Sequence, residues 1–169
     1  SRYPQVIPHF FSAPEIHAMT RYFKIPAADI LQQFYDAGQR TIPGGGAEIL
    51  NDRVRNLIAP RKTTAAKWLE IHETAHNIGF KTTATMMYGH VEAPEDILDH
   101  LFALRDLQER TGGFYAFIPW SFKPGSTPLS QQISETASGA WYLRAIGTAR
   151  LVLDNFPHIQ ASWFSEGRK

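Results

Sequence analysis

Four stretches of this chain hold residue types that can do chemistry. Gly44-Gly45-Gly46-Ala47-Glu48 sets a carboxylate just past three glycines. Glycines let backbone approach a ligand closely and supply positive φ, and a carboxylate beyond them can accept hydrogen bonds from ribose hydroxyls. The alternative is a flexible loop. Neither standard phosphate-binding pattern fits: no Gly-Lys-Ser/Thr follows, and the third-glycine spacing of the dinucleotide fingerprint fails. His72-Glu73-Thr74-Ala75-His76 matches H-E-x-x-H. Histidines at i and i+4 share a helix face, and the glutamate can activate a zinc-bound water. Against a zinc hydrolase stand the lack of a recognisable third ligand downstream and the charge at Glu70, two residues before His72. Tyr88-Gly89-His90-Val91-Glu92 offers a histidine that is either a general base or a polar residue satisfied by its neighbours. Phe117 to Gly125 combines aromatics with a turn; such aromatics line a pocket or plug a core.

These stretches need elements to position them. Short β-rich runs occur at Val6–Phe11, Thr41–Pro43, Lys81–Tyr88, Phe114–Trp120 and Ile159–Phe164. Segments of helical period lie between them. Ile30, Leu31, Phe34 and Tyr35 mark one over 28–37, and Trp68, Ile71, Ala75 and Ile78 a second. Ile97, Leu98, Leu101 and Leu104 mark a third, and 141–153 carries a fourth. Gly38, Gly79 and Gly112 follow periodic runs where a helix C-terminal glycine belongs. Pro94 suits a first helical turn, with Glu95 and Asp96 at the positive end of the dipole. Thr63 or Thr64 can cap the second helix. Strand starts recur at intervals long enough for a strand, a crossover helix and two loops, so a parallel α/β sheet is expected. Polar or Gly/Pro-rich residues gather at one strand end after another, from His9 to Glu15, Pro43 to Glu48, Tyr88 to Glu92 and Trp120 to Pro128. Barrel enzymes place their chemistry on that face. The expectation is a parallel (β/α) barrel of TIM type, incomplete, with about four βα units and a further strand.

Composition narrows the chemistry. The 169 residues carry 17 basic and 16 acidic groups, a formal net charge of +1. That balance gives no electrostatic argument for nucleic acid or an anionic membrane. No apolar run is long enough to span a bilayer, and Ser1-Arg2-Tyr3-Pro4 shows no secretory leader; the default expectation is the cytoplasm. There is no cysteine. Disulfides, cysteine-based zinc sites, thiol catalysis and a cysteine-ligated iron–sulfur cluster held by these residues are therefore excluded.

Taken as a set, the motifs resemble a known family. Pro43 to Leu50 with Asp52-Arg53-Val54-Arg55 resembles the fourth-strand motif of the radical S-adenosylmethionine (SAM) enzymes of futalosine-dependent menaquinone biosynthesis. Ala84 to Glu92 resembles their fifth strand. Leu107-Gln108, Thr111 to Phe114 and Phe117-Ile118-Pro119 resemble the approach to the sixth. Leu153-Asp154-Asn155 with Pro157 to Trp163 resembles the last helix and seventh strand. Trp120, Lys123-Pro124-Gly125 and Gln160 to Trp163 look most like the branch that cyclises dehypoxanthine futalosine. Its siblings are the aminofutalosine and F420-precursor synthases. The first strand departs from the family pattern, with Ile7 for a histidine and Ala13 for a proline.

The resemblance implies a 4Fe-4S cluster that reduces SAM to a 5′-deoxyadenosyl radical, an electron donor for that cluster, and dehypoxanthine futalosine as substrate. The family's cluster cysteines follow its first strand. Residues 1–169 are thus expected to run from the family's third strand to about its seventh, and to be inactive alone. By position the resemblance assigns Glu48 to the SAM ribose, and Met86, Tyr88, Gly89, Ile118 and Pro119 to its adenine and backbone. It assigns His9, Ser12, Glu15, Arg53, His90, Trp120 and Ser121 to the substrate pocket. It names no catalytic acid or base and no metal ligand in this chain. Self-association at open barrel edges is a further expectation. The other classes left open are a zinc hydrolase using His72, Glu73 and His76, and a non-catalytic ligand-binding module.

Overall fold

The computed structural model describes residues 5–133 and 135–162. Two helices open the chain, α1 (Ala13–Phe23) and α2 (Ala27–Asp36). Then follow β1 (Thr41–Ile42), α3 (Asp52–Ile58), α4 (Ala65–Ile78), β2 (Lys81–Tyr88), α5 (Pro94–Thr111), β3 (Phe114–Ser121), α6 (Gly139–Val152) and β4 (His158–Ile159). The four strands form one sheet in chain order, and every pair is parallel. That is the expected order and direction. Closure into a barrel is not seen among the described residues.

The first predicted strand is the main correction. Residues 6–11 contribute only one isolated bridge, His9 with Thr41. Pro8 lacks an amide hydrogen and Phe11 turns away at a φ of 62°, so a ladder cannot extend there. β1 is also short, because Pro43 ends its donors. Two threonines replace the missing rungs. Gly44 N–H donates to Thr83 Oγ1 at 2.9 Å, and Thr85 Oγ1 donates to Gly44 O at 2.8 Å. The last predicted strand is reduced to His158–Ile159, and Trp163 and Phe164 lie outside the described residues. Helices α1 and α3 were not expected, although local caps start both. The Glu15 carboxylate returns to the Ser12 amide, and Asn51 Oδ1 accepts from Arg53 N–H.

Register sorts the strand residues into two faces. Parallel partners share a face, so Ala84, Met86 and Tyr88 go with Phe117, Pro119 and Ser121. Ala84, Met86, Tyr88 and Phe117 belong to the hydrophobic core with Trp68, Ile71, Leu101, Leu104 and Ala149 of the helices. Thr83, Thr85 and Met87 point the other way, with Ala116, Ile118 and Trp120. The helices α4, α5 and α6 pack against the strands in sequence, on the core side. Among the described residues the Thr85–Ile118–Trp120 face carries no helix layer.

Candidate functional site

The carboxyl ends of β1, β2 and β3 bring most of the expected residues into one region. Gly44 lies against β2, where a Cβ would collide with the Thr83 carbonyl oxygen and the Ala84 Cα. A glycine is thus needed first for contact with the sheet itself. The loop then presents Glu48 at a φ of 47°, a left-handed conformation uncommon for a residue with a side chain. Glu48 O accepts from Met87 N–H at 2.9 Å. Its carboxylate pairs with Lys62 Nζ at 2.6 Å and is 12% exposed. Two residues that the sequence reading left without a role fix this loop. Arg55 is buried and donates to the carbonyls of Gly46, Ala47 and Thr63. His100 of α5 accepts from Leu50 N–H on Nδ1 at 3.0 Å. Burial lowers the His100 pKa to about 3, with a smaller push from Arg55, so it is neutral.

At the end of β2 the pleat divides the expected residues between two faces. The side chains of Met86 and Tyr88 are fully buried on the core side. The pleat puts Met87 and Thr85 on the helix-free face instead. The same alternation separates Ile118 and Trp120, on that face, from Pro119 and Ser121, on the core side. Alternation in β2 is not strict, since threonines occur in both phases and Met86, Met87 and Tyr88 follow one another, so only packing shows which phase is covered. Gly89 has a φ of 83° and, with His90, gives its amide hydrogen to the Glu92 carboxylate. His90 is satisfied by its neighbours. Val91 N–H donates to Nδ1 at 2.7 Å, and the tautomer with its proton on Nε2 donates to Met87 O at 3.0 Å. Its side chain is 0% exposed.

The remaining expected residues serve local structure as well. His9 Nδ1 bonds Thr41 Oγ1 at 2.9 Å beside β1. Ser12 donates to Glu15 through both its amide and its hydroxyl, so that pair caps α1. Arg53 forms an ion pair with Asp96, which also accepts from Ala93 N–H at the start of α5. Lys123 Nζ donates to Ser121 Oγ at 2.7 Å.

His72 and His76 lie at the other end of the sheet, between α4 and the start of β2. Thr111 Oγ1 donates to Leu107 O at 2.8 Å. It therefore accepts from His76 Nδ1–H, 2.7 Å away. His76 Nε2 must then accept from Thr82 Oγ1 at 2.7 Å, and Thr82 accepts from His72 Nδ1–H at 3.0 Å. One carbonyl thus fixes the protons of the whole chain, and both histidines are neutral. Burial holds the His72 pKa well below 6.5 and lowers that of His76 to about 4. Glu73 points away to Arg110 on the surface, 3.2 Å from its Nε. The metal-protease reading fails on this geometry: the two imidazoles face the core, one rests on Trp68 with ring centroids 3.8 Å apart, and the glutamate is not with them. Among the described residues no group of three or more His, Asp or Glu is placed to hold a metal.

No helix of the described residues is long and apolar enough to cross a membrane. Two families match the chain. The CofH/MqnC C-terminal region covers residues 111–169, and the Radical SAM superfamily covers residues 7–104. Among similar proteins is the aminodeoxyfutalosine synthase of Thermus thermophilus, 45% identical over 95% of this chain and 44% of its own. The cyclic dehypoxanthine futalosine synthase of Streptomyces coelicolor is 40% identical over 99% of this chain and 41% of its own. A 5-amino-6-(D-ribitylamino)uracil–L-tyrosine 4-hydroxyphenyl transferase of Methanosarcina mazei is 37% identical over 100% of this chain and 46% of its own. The chain spans less than half the length of these relatives. Its relatives are enzymes, and a superfamily match across more than half of its residues settles the family: the chain belongs to the radical SAM superfamily.

Proposed function

We propose that these residues are part of a cyclic dehypoxanthine futalosine synthase of menaquinone biosynthesis, folded as part of a (β/α) barrel. Helices on one face of a parallel sheet suit a barrel segment better than a doubly wound sheet, which carries helices on both faces. The observation that carries the finer reading is Trp120. It stands on the helix-free face beside Met87, where the tryptophan that resembles the cyclising branch would shape the pocket directly.

The chain does not fit a cysteine-ligated cluster, since it has no cysteine. The cluster ligands would lie outside these residues. The fit to an adenosine moiety is better: a carboxylate at Glu48 lies at the carboxyl end of a sheet face bearing Met87, Ile118 and Trp120. Glu48 would accept from ribose hydroxyls, and the apolar side chains would exclude water around the base. Gly89 would let backbone approach, and Met86, Tyr88 and Pro119 would support the surface from behind. His9, Ser12, Glu15, Arg53, His90 and Ser121 shape the loops around the pocket. The chemistry supplied by bound SAM is a hydrogen-abstracting 5′-deoxyadenosyl radical.

A second reading, aminodeoxyfutalosine synthase, is favoured by the 45% identity to the Thermus protein. The complete gene product, purified anaerobically with its cluster and given SAM, reductant and dehypoxanthine futalosine, separates the two. Cyclised product together with 5′-deoxyadenosine is expected. Formation of aminodeoxyfutalosine in a parallel assay, with no turnover of dehypoxanthine futalosine, would replace the first reading by the second. Trp120→Leu should lower kcat/KM for dehypoxanthine futalosine about tenfold or more without unfolding the protein.

A further inference from the structure

Arg55 is a buried cation that the chemistry above does not use. Its side chain is 4% exposed, and the nearest carboxylate in the ion pairs, Asp52, is 3.9 Å away and half-exposed. A charge is costly to bury, so its surroundings should show what it is for. They are main-chain carbonyls. Nε donates to Thr63 O at 3.0 Å. One terminal nitrogen donates to Gly46 O at 3.1 Å and to Thr63 O. The other donates to Ala47 O, with Ile49 O at 3.4 Å. Gly46 and Ala47 precede Glu48 and Ile49 follows it, while Thr63 follows Lys62. One rigid fork therefore ties together the two backbone segments that carry the Glu48–Lys62 ion pair. Glu48 holds its left-handed φ of 47° within this grip, and such a conformation persists only where its surroundings over-determine it.

We propose that Arg55 is a positioning residue for Glu48: without touching ligand, it holds the loop in the shape that aims the Glu48 carboxylate at a ribose diol. This rests on the reading of Glu48 as a ribose acceptor. Lysine cannot substitute, because a single ammonium does not span carbonyls on two segments as a planar five-donor fork does.

The test is equilibrium binding of SAM and of its 2′-deoxy and 3′-deoxy analogues to the complete, cluster-loaded protein. The wild type should bind at least one analogue about tenfold or more weakly than SAM, the cost of a lost hydrogen bond to a charged group. Glu48→Gln should remove most of that preference. Arg55→Met and Arg55→Lys should remove most of it too. A merely structural role would weaken all three ligands alike and leave the preference intact, and that result would overturn the proposal. Should Arg55→Met not fold, Arg55→Lys, which keeps the buried charge, decides alone. A wild type without any preference would overturn the ribose reading of Glu48 itself, which is a separate outcome from a preference that survives at Arg55 variants.

Discussion

The two ends of the sheet use similar residues in opposite ways. At the amino ends, His72, Thr82, His76 and Thr111 form a closed relay that terminates on the Leu107 carbonyl. Each imidazole is held neutral by burial, and the cluster faces aromatic side chains, with Phe114 edge-on to His76 at 4.7 Å between centroids. At the carboxyl ends, charges are kept. Glu48 pairs with Lys62, Arg53 with Asp96, and Glu92 receives two amide hydrogens beside His90. Loops hold these groups at the margin of the helix-free face. The lesson concerns environment rather than residue type. H-E-x-x-H is a structural network here because its histidines point into a core, whereas an ordinary glutamate becomes a candidate ligand because a loop stops it at the rim. This division matches the general one between a stabilising and a reactive face in parallel barrels.

Acid should have the largest effect, and it reaches both ends, because His100 lies under the Glu48 loop while His72 and His76 lie at the amino end. An unfolded histidine titrates near 6.5, whereas His76 and His100 do so near 4 and 3 when folded. His72 is depressed as well. Between these values the unfolded chain binds more protons than the folded one, so stability falls as pH drops from about 6.5 toward 4. Each group contributes a slope of up to about 1.4 kcal/mol per pH unit. Above pH 7 the three contribute nothing further. Urea unfolding at pH 7.5, 5.5 and 4.5 measures this, and a flat profile would mean that the histidines are not buried as described.

Gly113→Ala attacks the amino end by size. A Cβ there would strike the His76 ring, and the ring is pinned on both nitrogens. A loss of about 3 kcal/mol in denaturant unfolding is expected. A neutral result would show that the relay can yield.

Glu92→Gln probes the carboxyl end. It replaces a charged acceptor of two amide hydrogens, and about 2 kcal/mol should be lost. Because the loop borders the proposed pocket, ligand affinity should fall as well, whereas Gly113→Ala should leave the ratio of ligand affinities unchanged. Similar behaviour of the two variants would erase the contrast between the ends.

The smallest effect is expected at Glu73→Ala. Its partner Arg110 is on the surface, and exposed pairs contribute within about 1 kcal/mol. Both stability and metal content should stay as they are. Stoichiometric zinc in the unsubstituted protein, lost on His72→Ala, would restore the metal reading.

Much of the frame was legible from residues alone. β2 runs over Lys81–Tyr88 as its composition indicates, and Thr64 caps α4 by accepting from Lys67 N–H. Gly79 and Gly112 end α4 and α5 in the left-handed region. α1 was missed although Ser12 and Glu15 form a capping box around a first-turn proline, and α3 because its 7 residues are too few to show a stripe. The sequence places Glu48 and Trp120 toward strand carboxyl ends, and the structure has them there. The contacts of Arg55 and His100 and the face taken by Met87 were not legible. An arginine three residues after an aspartate reads as a surface charge until the carbonyls around it are known.

The sequence by itself determined β1, β2 and β3, the helices α2, α4, α5 and α6, that the strands run parallel, and that no cysteine-bound cluster can be held by these residues. Those properties depend on local pattern and on composition. Tertiary structure alone decided which phase of β2 and β3 meets the helices, which histidines are buried neutral, and where the Arg55 guanidinium finds its acceptors. Each of these is set by contacts between residues distant in the chain, and packing fixes them only when the whole layer of helices has closed on one face of the sheet.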